Sequence, residues 1–513
     1  MTNNSLNRAL GLLAVIAFGL TNEIAAGLFF VSTQIQQSSP GVGSLVPLLM
    51  IVGGIITLLT VVVYRFFFGA GLVGAGGEYV IISRSLSPGI AFVVTFLAWF
   101  GFTGALGTLA YSAPKFLSTA FLSLGATGLG NFLASNVGIL IVGIVILWVF
   151  WAVHVFGVKL AGTLTTIAMF LVFAVALVMI FAGFSTNHAA FDTAMAQRTH
   201  LSVASVLAAS PVKHVSVSTA FATALPTLFF GYLGLSTATQ TGGEAKNPTK
   251  SLAKGVLITV TVVGVLYTLF AWAVYHAVPW QVISGLAAMK QSSYTTSSGL
   301  LQFVMPSWLA SLINLCVALI VAKTFLPIFL AQSRWVYAWG DDGLIPRMFA
   351  KTHAKYKTPV LALTLSALFG SVSLIESIKL GFVFGVNIRV LSVMLVFFFM
   401  GLGLITFPKH SPQLYNMNTS WMKRSRFLQV LLGVVLMLVS IWFSVSITLS
   451  SASSPLYLQP AFQSAIVVVI AIMVYRLYLG KIRSHGTSSE GFLLARERFT
   501  RPPSADGEGM TAD

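Results

Sequence analysis

Phe18-Gly19-Leu20-Thr21-Asn22-Glu23-Ile24-Ala25-Ala26-Gly27-Leu28-Phe29 lies in the middle of an apolar stretch that runs over residues 9–34. Small, polar and charged residues here divide two apolar half-segments, and the whole is long enough to cross a hydrocarbon core of about 30 Å, which takes about 20 residues. Working outward, eleven further stretches of that length follow, over 44–68, 89–120, 136–156, 158–184, 217–241, 254–278, 303–333, 359–377, 381–407, 427–450 and 461–480. With 57% hydrophobic and only 8% charged residues, the chain would expose large apolar patches to water, so it belongs in a bilayer. Lipid offers no partners to the backbone, so a span is a helix or part of a closed barrel. Continuous runs of this length lack the alternation, about ten residues at a time, of barrel strands. The sequence therefore predicts an all-α membrane protein of twelve transmembrane helices.

Charge tests the count. With the N-terminus in the cytoplasm, twenty-two of the twenty-nine Lys and Arg residues fall in cytoplasmic segments, and only Lys115, Arg198, Lys213, Lys290 and Lys379 fall outside. An odd number of helices before the basic 334–357 segment would destroy this bias. Both termini are thus expected in the cytoplasm. The same asymmetry accounts for the net charge of +17 without nucleic acid, because the basic residues are spread over short loops facing anionic lipid and form no basic helix or aromatic-interleaved patch. The single Cys316 allows no disulfide framework and no thiolate cluster. The histidines stand singly without ligand spacing, so neither a metal nor a cofactor is expected. No pattern places a nucleophile beside a base, so the protein is read as no enzyme. No G-x-x-x-x-G-K-[ST] loop is present to cradle a phosphate, which argues against an ATP-driven pump. The first stretch is too long for a signal-peptide core and carries Glu23 at its centre. The tail 481–513, rich in Ser, Gly, Pro and charge, has a disordered composition.

The sixth stretch is interrupted like the first. It reads Pro226-Thr227-Leu228-Phe229-Phe230-Gly231-Tyr232-Leu233-Gly234-Leu235-Ser236-Thr237, with glycines at the corresponding depth. Interrupted helices in matching positions of two halves point to a transporter's midplane site, since unwound backbone survives in a membrane only where it lines a cavity.

Four motifs now carry a resemblance over nearly all of residues 9–480. Ile24-Ala25-Ala26-Gly27-Leu28-Phe29 looks like I-G-S-G-I-F. Gly76-Gly77-Glu78-Tyr79 ahead of Ser87-Pro88 looks like a G-G-x-Y block. Phe230-Gly231-Tyr232-Leu233-Gly234, followed by Glu244-Ala245-Lys246-Asn247-Pro248, looks like a sixth helix and E-x-K-N-P loop. Ser333-Arg334-Trp335-Val336-Tyr337-Ala338, with Asp342-Gly343-Leu344-Ile345-Pro346 and Thr358-Pro359, looks like S-R-x-x-Y-A-x-x-x-D-G-x-x-P and the T-P that opens a ninth helix. In this order they resemble the amino acid–polyamine–organocation (APC) permeases.

The resemblance implies an inverted repeat of the leucine-transporter type. Residues 1–8 would be a cytoplasmic N-terminus, 9–184 helices one to five, 185–216 an outer loop, 217–407 helices six to ten, 408–480 two extra helices, and 481–513 the tail. It implies that amides around Ala25, Ala26 and Gly27 receive a substrate carboxylate, and that carbonyls near Ile24, Phe230, Gly231 and Leu233 receive its ammonium. Helix-end electrostatics agree, since free N–H groups favour an anion and free carbonyls a cation. Two departures matter. Ala25 and Ala26 replace a glycine and a serine, leaving backbone donors alone; and 160–184 holds no lysine, although some relatives place there a stand-in for sodium. Phe230 is either a lid over the substrate or a packing aromatic.

Three of the charged residues within the spans stand out by their depth. Glu23 sits in the first interruption and Lys323 lies eleven residues before Arg334, about 16 Å along a helix. They are either proton-coupling groups or a static pair, or unrelated buried groups. Arg389, about 12 Å from its helix end, either snorkels, braces a helix pair or forms an outer gate. The expected function is secondary active transport of amino acids across the plasma membrane by alternating access, coupled to protons or by exchange. A polyamine or amino-acid/amine exchanger is the alternative within transport, and a membrane substrate sensor the alternative of another class. Expected partners are the amino acid or amine, protons and the bilayer; the oligomeric state is open.

Overall fold

The computed structural model describes residue 6 and residues 8–484, apart from 26, 200, 213, 292, 293 and 381. Ala26 and most of the expected tail therefore lie outside the described residues. Among the described residues twelve helices are long and apolar enough to cross a membrane. They are α1 (Leu12–Ser38), α2 (Pro40–Gly69), α3 (Pro88–Ser123), α4 (Asn136–Val155), α5 (Val158–Phe184), α6 (Ala220–Gly243), α7 (Pro248–Ala277), α8 (Ser307–Asp341), α9 (Val360–Lys379), α10 (Gly385–His410), α11 (Arg426–Ser450) and α12 (Pro460–Tyr478). Ser87, Ser135 and Ser425 begin α3, α4 and α11 by accepting the amides of Ile90, Gly138 and Leu428, which satisfies donors that the first turn leaves free.

α8 departs most from expectation, ending at Asp341 rather than at 333. Arg334 reads as a loop charge, yet it is fully buried and paired with Glu244, so the helix continues through it. α8 is also hitched at Thr324, between the segments Ser307–Lys323 and Phe325–Asp341. Pro327 has no N–H to return to the Lys323 carbonyl four residues earlier.

α1 packs on α6, α2 on α7 and α3 on α8, while α3 also meets α9 and α10, as α8 meets α4 and α5. Those are the pairs that a five-plus-five inverted repeat relates. α11 packs on α10, and α12 on α3 and α10, outside the repeat. The most apolar windows of α1 and α6 are 82% and 78% buried, against 28% for α11 and 17% for α12. The interrupted helices thus form the core and the last two face lipid.

Contacts between connections sort them onto two faces. Leu10 pairs with the α6–α7 connection through Leu10 N–H to Glu244 O and Lys246 N–H to Leu10 O, each 2.9 Å. Thr358 reaches Val155 O, and Asn418 reaches Phe66 O. On the opposite face Ser216 N–H meets Gly41 O, and Arg198 holds the carbonyls of Gln302 and Met305. The face carrying Leu10 also holds the basic connections, as twelve crossings require.

Candidate substrate and coupling site

The first half of α1 ends at Glu23, and the helix resumes at Gly27 in a widened π-turn to Val31 before Ser32–Ser38. In α6 a π-turn over Ala220–Ala224 gives way to a tight 3-10 turn over Phe229–Tyr232, and α-helix returns at Leu235–Gln240. Such changes of pitch shift N–H and C=O groups out of helical register.

The two interruptions touch. A Cβ on Gly27 would stand 2.6 Å from the Cα of Gly231, and one on Gly234 would collide with the Glu23 side chain. Only glycine lets the two backbones approach so closely. Tyr267 of α7 clips them together: its hydroxyl donates to the Glu23 carbonyl and lies 3.3 Å from the Gly231 carbonyl.

The expected binding groups converge here, already partly engaged. The Ile24 carbonyl accepts from Lys323 Nζ at 3.1 Å. The Ala25 amide donates to Glu23 O at 2.9 Å, so it is tied into the turn. Leu233 N–H closes onto Phe230 O at 3.3 Å, and Gly231 O faces Tyr267. A carbonyl has two lone pairs, so each keeps capacity for a second donor.

The three buried charges separate. Lys323 directs Nζ at the carbonyls of Thr21 and Ile24, on the first-half end of α1. Glu23 points instead toward α6 and is 1% exposed; the Leu235 amide lies beside it and Arg389 acts on it through space. Neither carboxylate oxygen completes a well-formed hydrogen bond among the described residues, and no Glu23–Lys323 ion pair forms among them. The static-pair expectation for these two therefore fails, because they leave the turn on different sides. Arg389 is 3% exposed and does not snorkel: its guanidinium lies 4.5 Å from the Phe102 ring centre and 5.1 Å from that of Phe230.

Sequence reasoning missed Tyr267 and Phe102. A hydroxyl in mid-span demands a partner, which was a usable signal for Tyr267. Phe102, one of forty phenylalanines, carried none.

On the basic face the remaining motifs assemble into a staple. Glu244 takes Arg334 in a forked pair at 2.6 and 3.1 Å. Asp342, in the turn that follows α8, accepts the Tyr79 hydroxyl at 2.6 Å and pairs with Arg84 at 3.4 Å. Buried Glu78, on the short helix Glu78–Ser85, accepts from Tyr64, Thr239 and Gln240 at 2.7, 3.1 and 2.6 Å. Burial raises its carboxyl above the ordinary range, and the hydroxyl donors offset part of that. Among the described residues no His, Cys, Asp and Glu cluster could hold a metal.

Residues 10–475 match the family model described as amino acid permease. The chain belongs to the amino acid permease family. This permease is 31% identical over 192 residues to the branched-chain amino acid permease BcaP of Bacillus subtilis (strain 168), covering 36% of the chain and 38% of the relative. It is 30% identical over 133 residues to the methylthioribose transporter of the same organism, 26% of the chain and 27% of the relative. It is 26% identical over 140 residues to that organism's aspartate-proton symporter, 27% of each. The matched stretches thus span well under half of these relatives.

Proposed function

We propose that this multi-pass membrane protein is a secondary active amino acid carrier working by alternating access, with its substrate held where α1 and α6 are interrupted. The observation that carries this reading is the contact of Gly27 with Gly231, which brings off-register backbone groups of two half-helices to one point at mid-membrane. The substrate carboxylate meets amides at the start of the second half of α1, where Gly27 lies, and its ammonium meets carbonyls of α1 and α6. Phe230 covers it. Two buried cations, Lys323 and Arg389, oppose a polyamine, so an amino acid is favoured over the amine alternative. The basic face is cytoplasmic by the excess of Lys and Arg, the termini lie there, and the membrane is the plasma membrane.

Protons drive the cycle in this reading. Lys323 supplies or withdraws a positive charge at the α1 carbonyls as it gains or loses a proton, and Glu23 supplies a carboxyl on the α6 side of the same turn. A relative named as an aspartate-proton symporter supports the choice of ion.

The experiment is counterflow of radiolabelled amino acids in liposomes, with and without a pH gradient. Substrate-stimulated counterflow is expected, and its absence with retained substrate binding would favour a sensor. Proton uptake during transport tests the coupling groups: Glu23→Gln and Lys323→Ala should each reduce it, and variants that move protons as the wild type does would clear both residues.

A further inference from the structure

Among the described residues the Arg389 guanidinium is a buried charge without a hydrogen-bonded or ion-paired partner. The residue is 97% buried, its exposure being 3%. Among the described residues it makes no hydrogen bond or ion pair; its contacts are the faces of Phe102 and Phe230, at 4.5 and 5.1 Å. Of its three nitrogens only Nε is sealed without a partner, so the terminal pair keeps contact with open space. Glu23 influences it only through space, beyond ion-pair distance.

A lone charge at this depth costs several kcal/mol unless something pairs with it. The ring faces offset part of that cost. They take none of the guanidinium's hydrogen-bonding capacity, so its terminal nitrogens remain a fork of donors of the kind that matches a carboxylate. Phe230 adjoins Gly231 in the chain, so one of the two rings against the guanidinium is carried by the α6 interruption itself.

We propose that Arg389 determines specificity by receiving an anionic side chain, so that the substrate class is amino acids carrying a second carboxylate. This rests on the carrier reading above and names the substrate of that same site. The α-carboxylate and α-ammonium take the helix interruptions, and the side-chain carboxylate completes the Arg389 fork between the two phenylalanines. Cationic substrates are rejected by like charge. Neutral amide analogues are accepted poorly, because they leave the guanidinium short of a counter-charge.

The test is counterflow by purified protein in liposomes, comparing L-glutamate and L-aspartate with L-glutamine, L-leucine, L-arginine and putrescine. The wild type should prefer the acidic pair. Arg389→Gln should lower the acidic-to-amide ratio of kcat/KM about 30-fold or more, as expected when one partner of a buried charge pair is removed. Arg389→Lys should recover part of that ratio. Wild-type transport of leucine, glutamine or arginine in preference to the acidic pair overturns the inference and leaves the carrier reading intact; transport of no amino acid at all overturns the carrier reading itself. An unchanged ratio in Arg389→Gln assigns the residue to gating or bracing and overturns the inference even where acidic amino acids are substrates. The wild-type panel decides the substrate class should the variants fail to fold.

Discussion

At the residue scale the site depends on absent side chains. A methyl group on Gly27 would meet Gly231 Cα at 2.6 Å and the Tyr267 hydroxyl at 2.9 Å. Gly27→Ala should therefore lower uptake at least tenfold and cost about 1–3 kcal/mol of stability, the usual range for overpacking. Uptake assays paired with thermal unfolding in detergent check this, and wild-type kinetics would show that the two interruptions separate without cost. Tyr267→Phe removes the hydroxyl that Glu23 O accepts and that lies beside Gly231 O. Losing such a bond typically costs about 0.5–1.5 kcal/mol, so the variant should stay folded while substrate affinity falls severalfold, read by equilibrium binding.

At the element scale the motif loops act as one staple. Glu244→Ala leaves Arg334 buried without its partner, which should destabilise the protein by about 3–5 kcal/mol; Glu244→Gln with Arg334→Gln should cost less than that single change. Thermal unfolding of both proteins compares them. Glu78 adds a pH dependence with a definite sign. Its carboxyl is raised by burial, so the folded protein holds that proton when the unfolded chain has lost it. Stability therefore falls as pH climbs from the ordinary carboxylate range through the raised value, and is restored on acidification. Glu78→Gln keeps a neutral group of the same shape and should flatten this dependence in unfolding curves taken from acid to neutral pH.

At the scale of the whole molecule, twelve crossings put both ends of the bundle on one face, together with the basic connections. The only cysteine, Cys316, lies half-buried in α8, so a Cys316→Ala background permits single-cysteine labelling. A cysteine at Lys351 should react with a membrane-impermeant maleimide only in inside-out vesicles, and one at Lys290 only in right-side-out vesicles. Labelling in the reverse orientation would overturn the cytoplasmic assignment of the basic face.

Bilayer thickness and backbone satisfaction act on any apolar run regardless of its neighbours, so the number of spans, the helical class, the two interruptions and the sharing of basic residues between faces are legible in the chain alone. The motif loops were legible as fragments, but their joint role was not. Arg334 and Asp342 read as loop charges until Glu244, Tyr79 and Arg84 met them. Which way the buried charges point depends on how the helices pack. For Glu23 and Lys323 the sequence left coupling groups, a static pair and unrelated buried groups open; the turn at Ile24 sends one toward α6, while the other reaches the carbonyls of α1 from α8. Arg389 looked able to snorkel until Phe102 and Phe230 enclosed it. The reason is geometric: a charge's depth follows from counting residues along one helix, but its partner is set by the crossing of several helices, and single-chain periodicity carries no information about that.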